Sequence, residues 1–332
     1  MINGFINLHK PANWTSHDCV ARLRRLLNTK KIGHGGTLDP KATGVLPIAV
    51  GKATKLLQYL PSDKTYRAVV RFGVTTTTDD LEGEVVSEQS ADWLSRETVE
   101  AMLPQFLGAI AQKPPIYSAI QVAGKRLYHL ARQGKSVDVP TRQVTIHQLQ
   151  TQGWHPGEHP ELTLAVSCGP GTYIRSLARD LGEAVEAGAT LAALTRTHSS
   201  GFELANSITL EDLEQALSAE TFEPVSAGQA MQHLKAIWLP PDLARRWCLG
   251  QKLAIAQTMT GEGLSQIEAV SENLPSEPLR VMAAKTQDFL GVGEMVMGEP
   301  TVARDKNDTT PPGKVLACKR VYFEYGSAVR YN

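Results

Sequence analysis

The most constraining feature of this sequence is the order in which strand-like and helix-like segments follow one another. "GFINLHKP" is typical of a strand that ends at Pro11, and "TSHD" then places Thr15 as a helix N-cap with Asp18 at the capping-box spacing. "ELTLAVSC" alternates like a half-buried strand, and "GPGTYIRSLARDLGEAV" has the apolar spacing of a helix. Because no regular βαβ alternation results, the order predicts an α/β or α+β fold with a mixed sheet.

A change of pattern divides the chain near residue 236. The helical pattern "TLEDLEQAL" precedes this point, and short strand-like segments follow the Pro-Pro pair in "WLPPDLARRW". "RVMAAKTQDFLGVGEMV" predicts a hairpin that turns at residues 286–288, and "GKVLACKRVYFEY" predicts a final strand. Since 332 residues suffice for two domains, we expect a larger α/β domain over residues 1–236 and a small β-rich domain over residues 237–332.

Charge is distributed unevenly along a chain whose formal net charge is zero. Residues 1–71 carry 12 Lys/Arg and 3 Asp/Glu, residues 79–103 carry 1 and 8, and residues 113–142 carry 6 and 1. An acidic segment therefore lies between two basic ones. The basic blocks either form ordinary solvated faces or line a cationic cleft for a polyanion such as nucleic acid.

The cysteines and the apolar runs argue against several classes of protein. The four cysteines are far apart and form no CxxC pair, so the sequence indicates neither a zinc site nor a redox dithiol. The first residues, "MINGFINLHKPANWTS", lack the features of a signal peptide, and no run reaches the roughly 18 apolar residues of a membrane span. We therefore expect a cytoplasmic protein that does not cross a membrane.

Three residues are candidates for chemistry. Asp39 is the one carboxylate in "KIGHGGTLDPKATGVLPIAVGKATK", although "LDPKATG" is also typical of an ordinary turn. Arg175 lies near the start of a predicted helix, where a cation opposes the helix dipole. Either a bidentate pair with a buried carboxylate such as Asp39 offsets this cost, or Arg175 is simply exposed. Tyr66 begins an apolar strand and is either a core residue or a ring that stacks on a base.

Six segments occur in a fixed order: "HKPANWTS", "GHGGTLDPKATGVLPIAVGKATK", "DKTYRAVVRFGVTTTTDDLEG", "QKPPIYSAIQVAGKRLYHLAR", "CGPGTYIRSLARDLG" and "LTRTHSSGF". In order and spacing they resemble the motifs of bacterial TruB-type tRNA pseudouridine synthases over roughly residues 3–234. The pattern "FLGVGEMV" with "GKVLACKRVYF" resembles a PUA-type RNA-binding domain. Asn13 stands where the family usually has Gly, which Asn can replace because it tolerates a left-handed backbone, and Gln121 stands where Lys is usual.

The resemblance implies isomerisation of uridine 55 in the T loop of tRNA to pseudouridine, with no cofactor, no metal and no obligatory protein partner. It implies that Asp39 is the nucleophile, that Tyr66 stacks on the target uracil, and that Arg175 pairs with Asp39. Tyr173 and Leu194 would then be walls of the pocket that holds the base. The fold implied is a mixed-sheet pseudouridine synthase domain followed by a PUA-like domain.

The resemblance also implies which residues contact RNA. His34 would fill the gap that a flipped base leaves in the T loop. Asp80 matches a family residue near the pocket, although capping of its own turn explains it equally well. Lys10, in "HKP", is a further expected substrate contact. Residues 113–142 match a thumb-like RNA-binding insertion, whose expected phosphate contacts are Lys125, Arg126 and Arg132. In the second domain the expected phosphate contacts are Arg245, Arg246, Lys252, Lys319 and Arg320.

Three other functions remain open at this point. One is an RNA-binding or RNA-remodelling protein of the same fold without activity, although the intact set of Asp39, Tyr66, Tyr173 and Arg175 favours an enzyme. Another is the related branch of synthases that acts on ribosomal RNA with a guide RNA and partner proteins. The third is a metal-dependent Asp phosphotransferase, which lacks support because no second carboxylate cluster accompanies Asp39.

Overall fold

The computed structural model describes residues 2–117, 121–122, 125–126, 139–254, 277–298 and 313–322. Within these ranges the largest sheet has nine strands. The strands up to residue 203 are β1 (Gly4–Lys10), β2 (Ile32–His34), β3 (Thr43–Val50), β4 (Lys64–Phe72), β5 (Val74–Thr76), β6 (Val85–Glu88), β7 (Gly108–Gln112), β8 (Gln121–Val122), β9 (Lys125–Arg126), β10 (Arg142–His155), β11 (Glu161–Cys168), β12 (Ala189–Ser199) and β13 (Phe202–Glu203). The large sheet follows the order β1-β3-β12-β4-β11-β10-β7, with β2 beside β3 and β13 beside β12.

The sheet is mixed, as the sequence predicted. Its pairs are antiparallel except for β3 and β12, which run parallel, with Arg196 opposite Gly44. In β11 buried and half-buried residues alternate strictly, which confirms the half-buried strand predicted from "ELTLAVSC". β4, β11 and β12 lie side by side in the middle of the sheet. Each of these three strands is therefore paired with a neighbouring strand on both sides.

Helices pack against the strands in both parts of the chain. In the described ranges they are α1 (Ser16–Leu26), α2 (Arg96–Met102), α3 (Ile174–Ala184), α4 (Leu210–Ser218), α5 (Ala227–Ala230) and α6 (Pro241–Cys248), with 3-10 turns at Gly51–Tyr59, Leu103–Phe106 and Leu204–Asn206. The predicted capping box of α1 is present, since Thr15 and Asp18 bond each other's backbone amides. α3 buries Leu177 and Leu181 against the sheet. None of the helices in these ranges is both long and apolar enough to span a bilayer.

A second, five-stranded sheet follows in the described residues after 235. Its strands are β14 (Ala236–Leu239), β15 (Leu253–Ala254), β16 (Leu279–Ala283), β17 (Phe289–Gly298) and β18 (Gly313–Val321), in the order β14-β16-β17-β18-β15. The hairpin predicted around residues 286–288 is confirmed as β16 and β17, and the predicted final strand as β18. Trp247 of α6 is fully buried against this sheet. The C-terminal part is thus β-rich, as expected.

The two parts of the chain share an apolar cluster. Phe5 and Val45 of the large sheet pack in one cluster with Met282 and Phe289 of the second sheet. The Arg280 amide also donates to the Lys235 carbonyl at 2.8 Å. The division at residue 236 stays a prediction, because the two parts are joined by a common core.

The insertion expected over residues 113–142 is only partly described. Lys125 and Arg126 form β9, which pairs antiparallel with β8. The predicted phosphate contact Arg132 lies outside the described residues. The thumb-like role of this segment therefore stays a prediction.

Candidate active site

A pocket of about 470 Å³ opens at the centre of the large sheet. Five of the predicted site residues line it: Asp39, Tyr66, Tyr173, Arg175 and Leu194. They come from separate parts of the chain, namely the loop after β2, strand β4, the N-cap and first turn of α3, and strand β12. A second pocket of about 360 Å³ shares Asp39, Arg175 and Leu194 with the first. The fold thus assembles the candidate residues around Asp39.

Asp39 and Arg175 form an ion pair, with 3.1 Å between the Arg175 Nε and the Asp39 Oδ2. The prediction of a bidentate pair with a buried carboxylate was wrong in two respects. The pair has a single short contact, and the Asp39 side chain is 43% exposed, whereas that of Arg175 is 8% exposed. The reason is that the remaining nitrogens of Arg175 are used elsewhere. The pair therefore fixes one carboxylate oxygen and leaves the other open to the pocket.

The other contacts of Arg175 explain how a cation is tolerated at the start of α3. Its Nη1 donates to the Thr78 carbonyl at 3.0 Å and lies 3.5 Å from Asp80 Oδ2, and its Nη2 donates to the Tyr117 carbonyl at 3.1 Å. Two carboxylates and two carbonyl oxygens thus surround the guanidinium. These acceptors offset the unfavourable helix dipole.

Tyr173 is the N-cap of α3 and has no side-chain cap of its own. The buried Gln112 of β7 supplies hydrogen bonds instead, since its Oε1 accepts from the Tyr173 amide at 2.8 Å and its Nε2 donates to the Tyr173 carbonyl at 3.1 Å. Gln112 begins the segment "QKPPIYSAIQVAGKRLYHLAR", but the sequence analysis assigned it no role, because nothing in the sequence shows that its amide reaches the Tyr173 backbone. Gln112 fixes the residue that begins the helix carrying Arg175.

Tyr66 is buried, and its hydroxyl interacts with the guanidinium of Arg196. Burial raises the pKa of Tyr66 to about 12, although the Arg196 charge opposes that rise. The phenol is therefore protonated at neutral pH. Tyr66 presents an aromatic ring and a neutral hydroxyl to the pocket.

Arg196 is fully buried and was missed in the sequence analysis. Its guanidinium donates to the carbonyls of Val45 at 2.7 Å, Gly36 at 3.0 Å and Thr37 at 3.3 Å. Gly36 and Thr37 directly precede the turn that carries Asp39, so Arg196 fixes the approach to that turn. The available signal was the charged residue in the strand segment "LTRT", since a buried Arg needs several acceptors.

The structure places Lys10 differently from the predicted substrate contact. Lys10 is fully buried, and its ammonium donates to the carbonyls of Trp14 at 2.6 Å, Pro11 at 2.9 Å and Pro40 at 3.0 Å. Desolvation by this burial lowers the pKa of Lys10. The correction follows from geometry: an ammonium with three carbonyl partners inside the protein holds the loop around Pro40 and does not reach a ligand.

The turn at Asp39 is held from the other side by α1. The Leu38 amide donates to Ser16 Oγ at 2.9 Å, and the Asn13 amide donates to the Pro40 carbonyl at 2.9 Å. Asn13 has φ 65°, which confirms that Asn replaces Gly there in a left-handed conformation. The Ala42 amide donates to the Asp39 carbonyl at 3.1 Å, so Asp39 also begins a turn. Asp39 is therefore both part of this turn and part of the candidate site.

His34 lies at the end of β2, beside the pocket and not among its lining residues. Its Nδ1 accepts from the Gly36 amide at 3.4 Å, and its ring meets the ring of His17 edge-on at 5.5 Å. Desolvation, together with the charges of His17 and Arg196, lowers the pKa of His34. The imidazole is therefore neutral at neutral pH, and its Nδ1 serves as a hydrogen-bond acceptor.

The structure agrees with both interpretations of Asp80, as a residue that caps its own turn and as a residue near the pocket. It accepts from Thr78 Oγ1 at 2.5 Å and from the Glu82 amide at 3.0 Å, as a residue that caps its own turn does. It also lines the second pocket and lies 3.5 Å from Arg175.

Within the described part of the chain, no three His, Cys, Asp or Glu side chains are placed to hold a metal ion together.

Comparisons with known proteins agree with this geometry. Residues 24–174 match the profile of "TruB family pseudouridylate synthase (N terminal domain)". Residues 175–244 match "tRNA pseudouridylate synthase B C-terminal domain", and residues 236–299 match "Pseudouridine synthase II TruB, C-terminal". The three matches together cover most of the chain, from α1 into the second sheet.

Curated relatives extend the likeness over nearly the whole chain. A tRNA pseudouridine synthase B from Trichormus variabilis is 55% identical over 297 residues, which are 90% of this chain and 96% of that protein. The enzyme of the same name from Gloeothece citriformis is 48% identical over 314 residues, 95% of this chain and 97% of that protein. The one from Synechocystis is 54% identical over 259 residues, 78% of this chain and 88% of that protein.

Solved structures show the same fold at lower identity. An H/ACA ribonucleoprotein bound to a substrate RNA containing 2'-deoxyuridine matches with a TM-score of 0.68 and 24% identity, over 97% of this chain and 85% of that chain. A Cbf5–Nop10–Gar1 complex matches with a TM-score of 0.67 and 24% identity, over 96% of this chain and 85% of that chain. With profiles and relatives of this extent, the chain belongs to the TruB family of pseudouridylate synthases.

Proposed function

We propose that this protein isomerises uridine 55 in the T loop of tRNA to pseudouridine, with Asp39 as the nucleophile. One observation carries the proposal: a half-exposed carboxylate, fixed by one oxygen to a buried arginine, faces a pocket lined by aromatic and apolar side chains. The curated relatives named tRNA pseudouridine synthase B support tRNA as the substrate.

The reaction moves uracil from an N1 linkage to a C5 linkage on the same ribose. The N1–C1′ bond breaks, the base turns while it is held, the C5–C1′ bond forms, and the C5 proton leaves while N1 gains one. Because substrate and product have the same atoms and oxidation state, we expect no cofactor, no metal and no cosubstrate. The free oxygen of Asp39 would bond to the sugar or to the base, and that bond would break again before pseudouridine is released, while Arg175 orients the carboxylate.

The remaining pocket residues would hold the base. The Tyr66 ring would stack on uracil, with its neutral hydroxyl fixed by Arg196. Tyr173 and Leu194 would limit how far the freed base moves while it turns. A base stacked in a T loop is inaccessible to the pocket, so it must be flipped out of the loop. The neutral ring of His34, which lies beside the pocket, would then fill the gap that the base leaves in the loop.

Release of tritium from tRNA labelled at C5 of uracil tests the proposal. Since C5 becomes bonded to C1′, the purified protein should release one tritium per tRNA, without a guide RNA or a partner protein. A transcript with cytidine at position 55 should release none. Absence of release from tRNA, with release from ribosomal RNA in the presence of a guide, would support the related branch of synthases instead.

We propose in addition that exposed cations of the C-terminal part, on α6 and β18, contact phosphates of the tRNA acceptor arm. Arg245 on α6 and Arg320 on β18 are both exposed. By contrast, Lys319 pairs with Glu294, and Arg246 donates to Gln251 at 3.0 Å. The first two residues are therefore the better candidates for contact with RNA.

An Arg245→Gln and Arg320→Gln double variant should bind full-length tRNA more weakly. A plot of the logarithm of its affinity against the logarithm of the salt concentration should be less steep than that of wild type. The slope should change by roughly two units, because two fewer counterions are released on binding. The rate at saturating tRNA and the affinity for an isolated T-arm hairpin should not change. This variant is a better test than a chain cut near residue 236, which would expose Phe5 and Val45. An unchanged salt slope would mean that this surface does not bind RNA.

A further inference from the structure

Helix α3 carries two arginines one turn apart, Arg175 and Arg179, and both extend toward the same acidic turn at residues 77–80. Arg175 lines the pocket and contacts Asp39. Arg179 lines neither of the two pockets that meet at Asp39. The role of Arg179 must therefore be sought in what it holds.

Arg179 connects three parts of the chain. Its Nη1 lies 2.8 Å from Asp79 Oδ2, its Nη2 donates to the Lys113 carbonyl at 2.9 Å, and its Nε donates to Asp180 Oδ1 at 2.9 Å. The side chain of Arg179 is 23% exposed and that of Asp79 is 15% exposed. Shielding of this degree makes the charged hydrogen bonds stronger than those of an open surface pair.

Asp79 occupies the left-handed position of the turn. It has φ 61°, a conformation that Asp adopts more readily than most residues with a side chain. Its carbonyl accepts from the Leu191 amide at 3.0 Å. Burial raises the pKa of Asp79, and the charge of Arg179 opposes that rise. Without Arg179, Asp79 would lose its ion-pair partner, and the turn would lose a contact that ties it to α3.

The same turn supports the catalytic pair. Thr78 and Asp80, on either side of Asp79, provide a carbonyl and a carboxylate to the guanidinium of Arg175. Displacement of Asp79 would therefore move two of the acceptors that orient Arg175. The orientation of Arg175 in turn fixes the oxygen of Asp39 that it contacts.

Arg179 also holds the segment that leads into residues 113–142. The Lys113 carbonyl accepts from Arg179 and from Ser176 Oγ at 2.8 Å, and the Tyr117 carbonyl accepts from Arg175. Both ends of this short segment are thus bound to the first two turns of α3. Arg179 therefore supports both the turn and the segment that supply acceptors to Arg175.

We propose that Arg179 is a positioning residue for the isomerisation, which holds the turn at residues 77–80 and the segment at residues 113–117 against α3 and so aligns Arg175 on Asp39. This inference rests on the proposed function for its kinetic test. Arg179 touches neither the substrate pocket nor Asp39, so its effect must appear in the rate of reaction and not in RNA binding.

The test compares Arg179→Ala, Asp79→Ala and the double variant in single-turnover reactions with saturating enzyme. Each single variant should react roughly 10-fold to 100-fold more slowly, as expected for a misplaced catalytic group, with tRNA affinity within about threefold of wild type. The double variant should be no slower than the slower single variant, because both remove one interaction. Arg179→Lys should recover part of the rate.

Arg71→Ala is the matched control. Arg71 on β4 forms an ion pair with Glu161 on β11, with 2.7 Å between the charged atoms. This pair lies in the large sheet, and neither residue lines the pocket. The rate of Arg71→Ala should equal that of wild type. Any of three results would overturn the proposal. Arg179→Ala could react within twofold of the wild-type rate, the losses in the double variant could be additive, or Arg71→Ala could lose as much rate as Arg179→Ala.

Hydrogen exchange provides a readout that needs no substrate. The Leu191 amide, which donates to the Asp79 carbonyl, should exchange at least about tenfold faster in Arg179→Ala and remain unchanged in Arg71→Ala. If wild type were inactive on tRNA, the proposed function would fail while this measurement still decides the role of Arg179. Unchanged exchange at Leu191 would contradict that role.

Discussion

The Asp39→Asn variant is expected to lose conversion of tRNA uridine to pseudouridine by roughly 10⁴-fold or more, the scale on which enzymes lose rate without their nucleophile. Asn has almost the shape of Asp and its amide oxygen can still accept from Arg175, so the pocket should keep its form. The amide lacks both the charge and the nucleophilic oxygen. Single-turnover tritium release from labelled tRNA measures the loss.

Binding should be nearly unaffected by the same change. Because phosphate contacts dominate affinity for RNA, tRNA binding by Asp39→Asn should stay within about tenfold of wild type, or about 1.4 kcal/mol. Asp92→Asn, at an exposed position in the acidic segment, is the matched control and should keep the full rate. An Asp39→Asn rate within tenfold of wild type would refute nucleophilic catalysis by Asp39.

The Arg175→Ala variant is expected to react about 10²–10³-fold more slowly at saturating tRNA, the usual cost of removing one preorganised charged donor. The change removes the contact that fixes Asp39 and leaves Asp39 and Asp80 without their shared cation. It also removes the hydrogen bonds that Arg175 donates to the Thr78 and Tyr117 carbonyls. We therefore expect a loss of unfolding free energy on the order of 2–3 kcal/mol, measured by denaturant titration.

Arg175→Lys separates charge from geometry. An ammonium keeps the charge but cannot reproduce the planar arrangement that reaches Asp39, Asp80 and two carbonyls at once, so most of the rate should stay lost. A variant with full activity would show that charge alone suffices. If Arg175→Ala instead weakened tRNA binding and left the saturated rate intact, Arg175 would be a binding residue and its proposed pairing role with Asp39 would be wrong.

Local patterns predicted much of the fold. The capping box at Thr15, the alternation in β11 and the β16–β17 hairpin are encoded over a few residues each, and the structure confirms them. The order of strands in the sheet was not predictable, because it depends on pairings far apart in sequence. The parallel pairing of β3 with β12 joins two residues distant in the chain, Thr43 and Thr195.

Only some residues of the candidate site were predicted from the sequence. Asp39, Tyr66 and Arg175 were found because they stand in recognisable motifs, and the structure brings them to one pocket. Lys10 was misassigned and Arg196 was missed for the same physical reason. Both are buried cations whose partners are backbone carbonyls, and a carbonyl is present at every position of a sequence. Only the folded backbone shows which carbonyls converge.

Mapping of pseudouridine at single-nucleotide resolution in a tRNA transcript tests the central claim most directly. The purified wild-type protein alone, without guide RNA or cofactor, should convert position 55 completely and leave the other uridines unchanged. The Asp39→Asn protein, in the same reaction and at a concentration that saturates binding, should convert none. Modification at another position by wild type, or conversion of position 55 by Asp39→Asn, would contradict the proposed function.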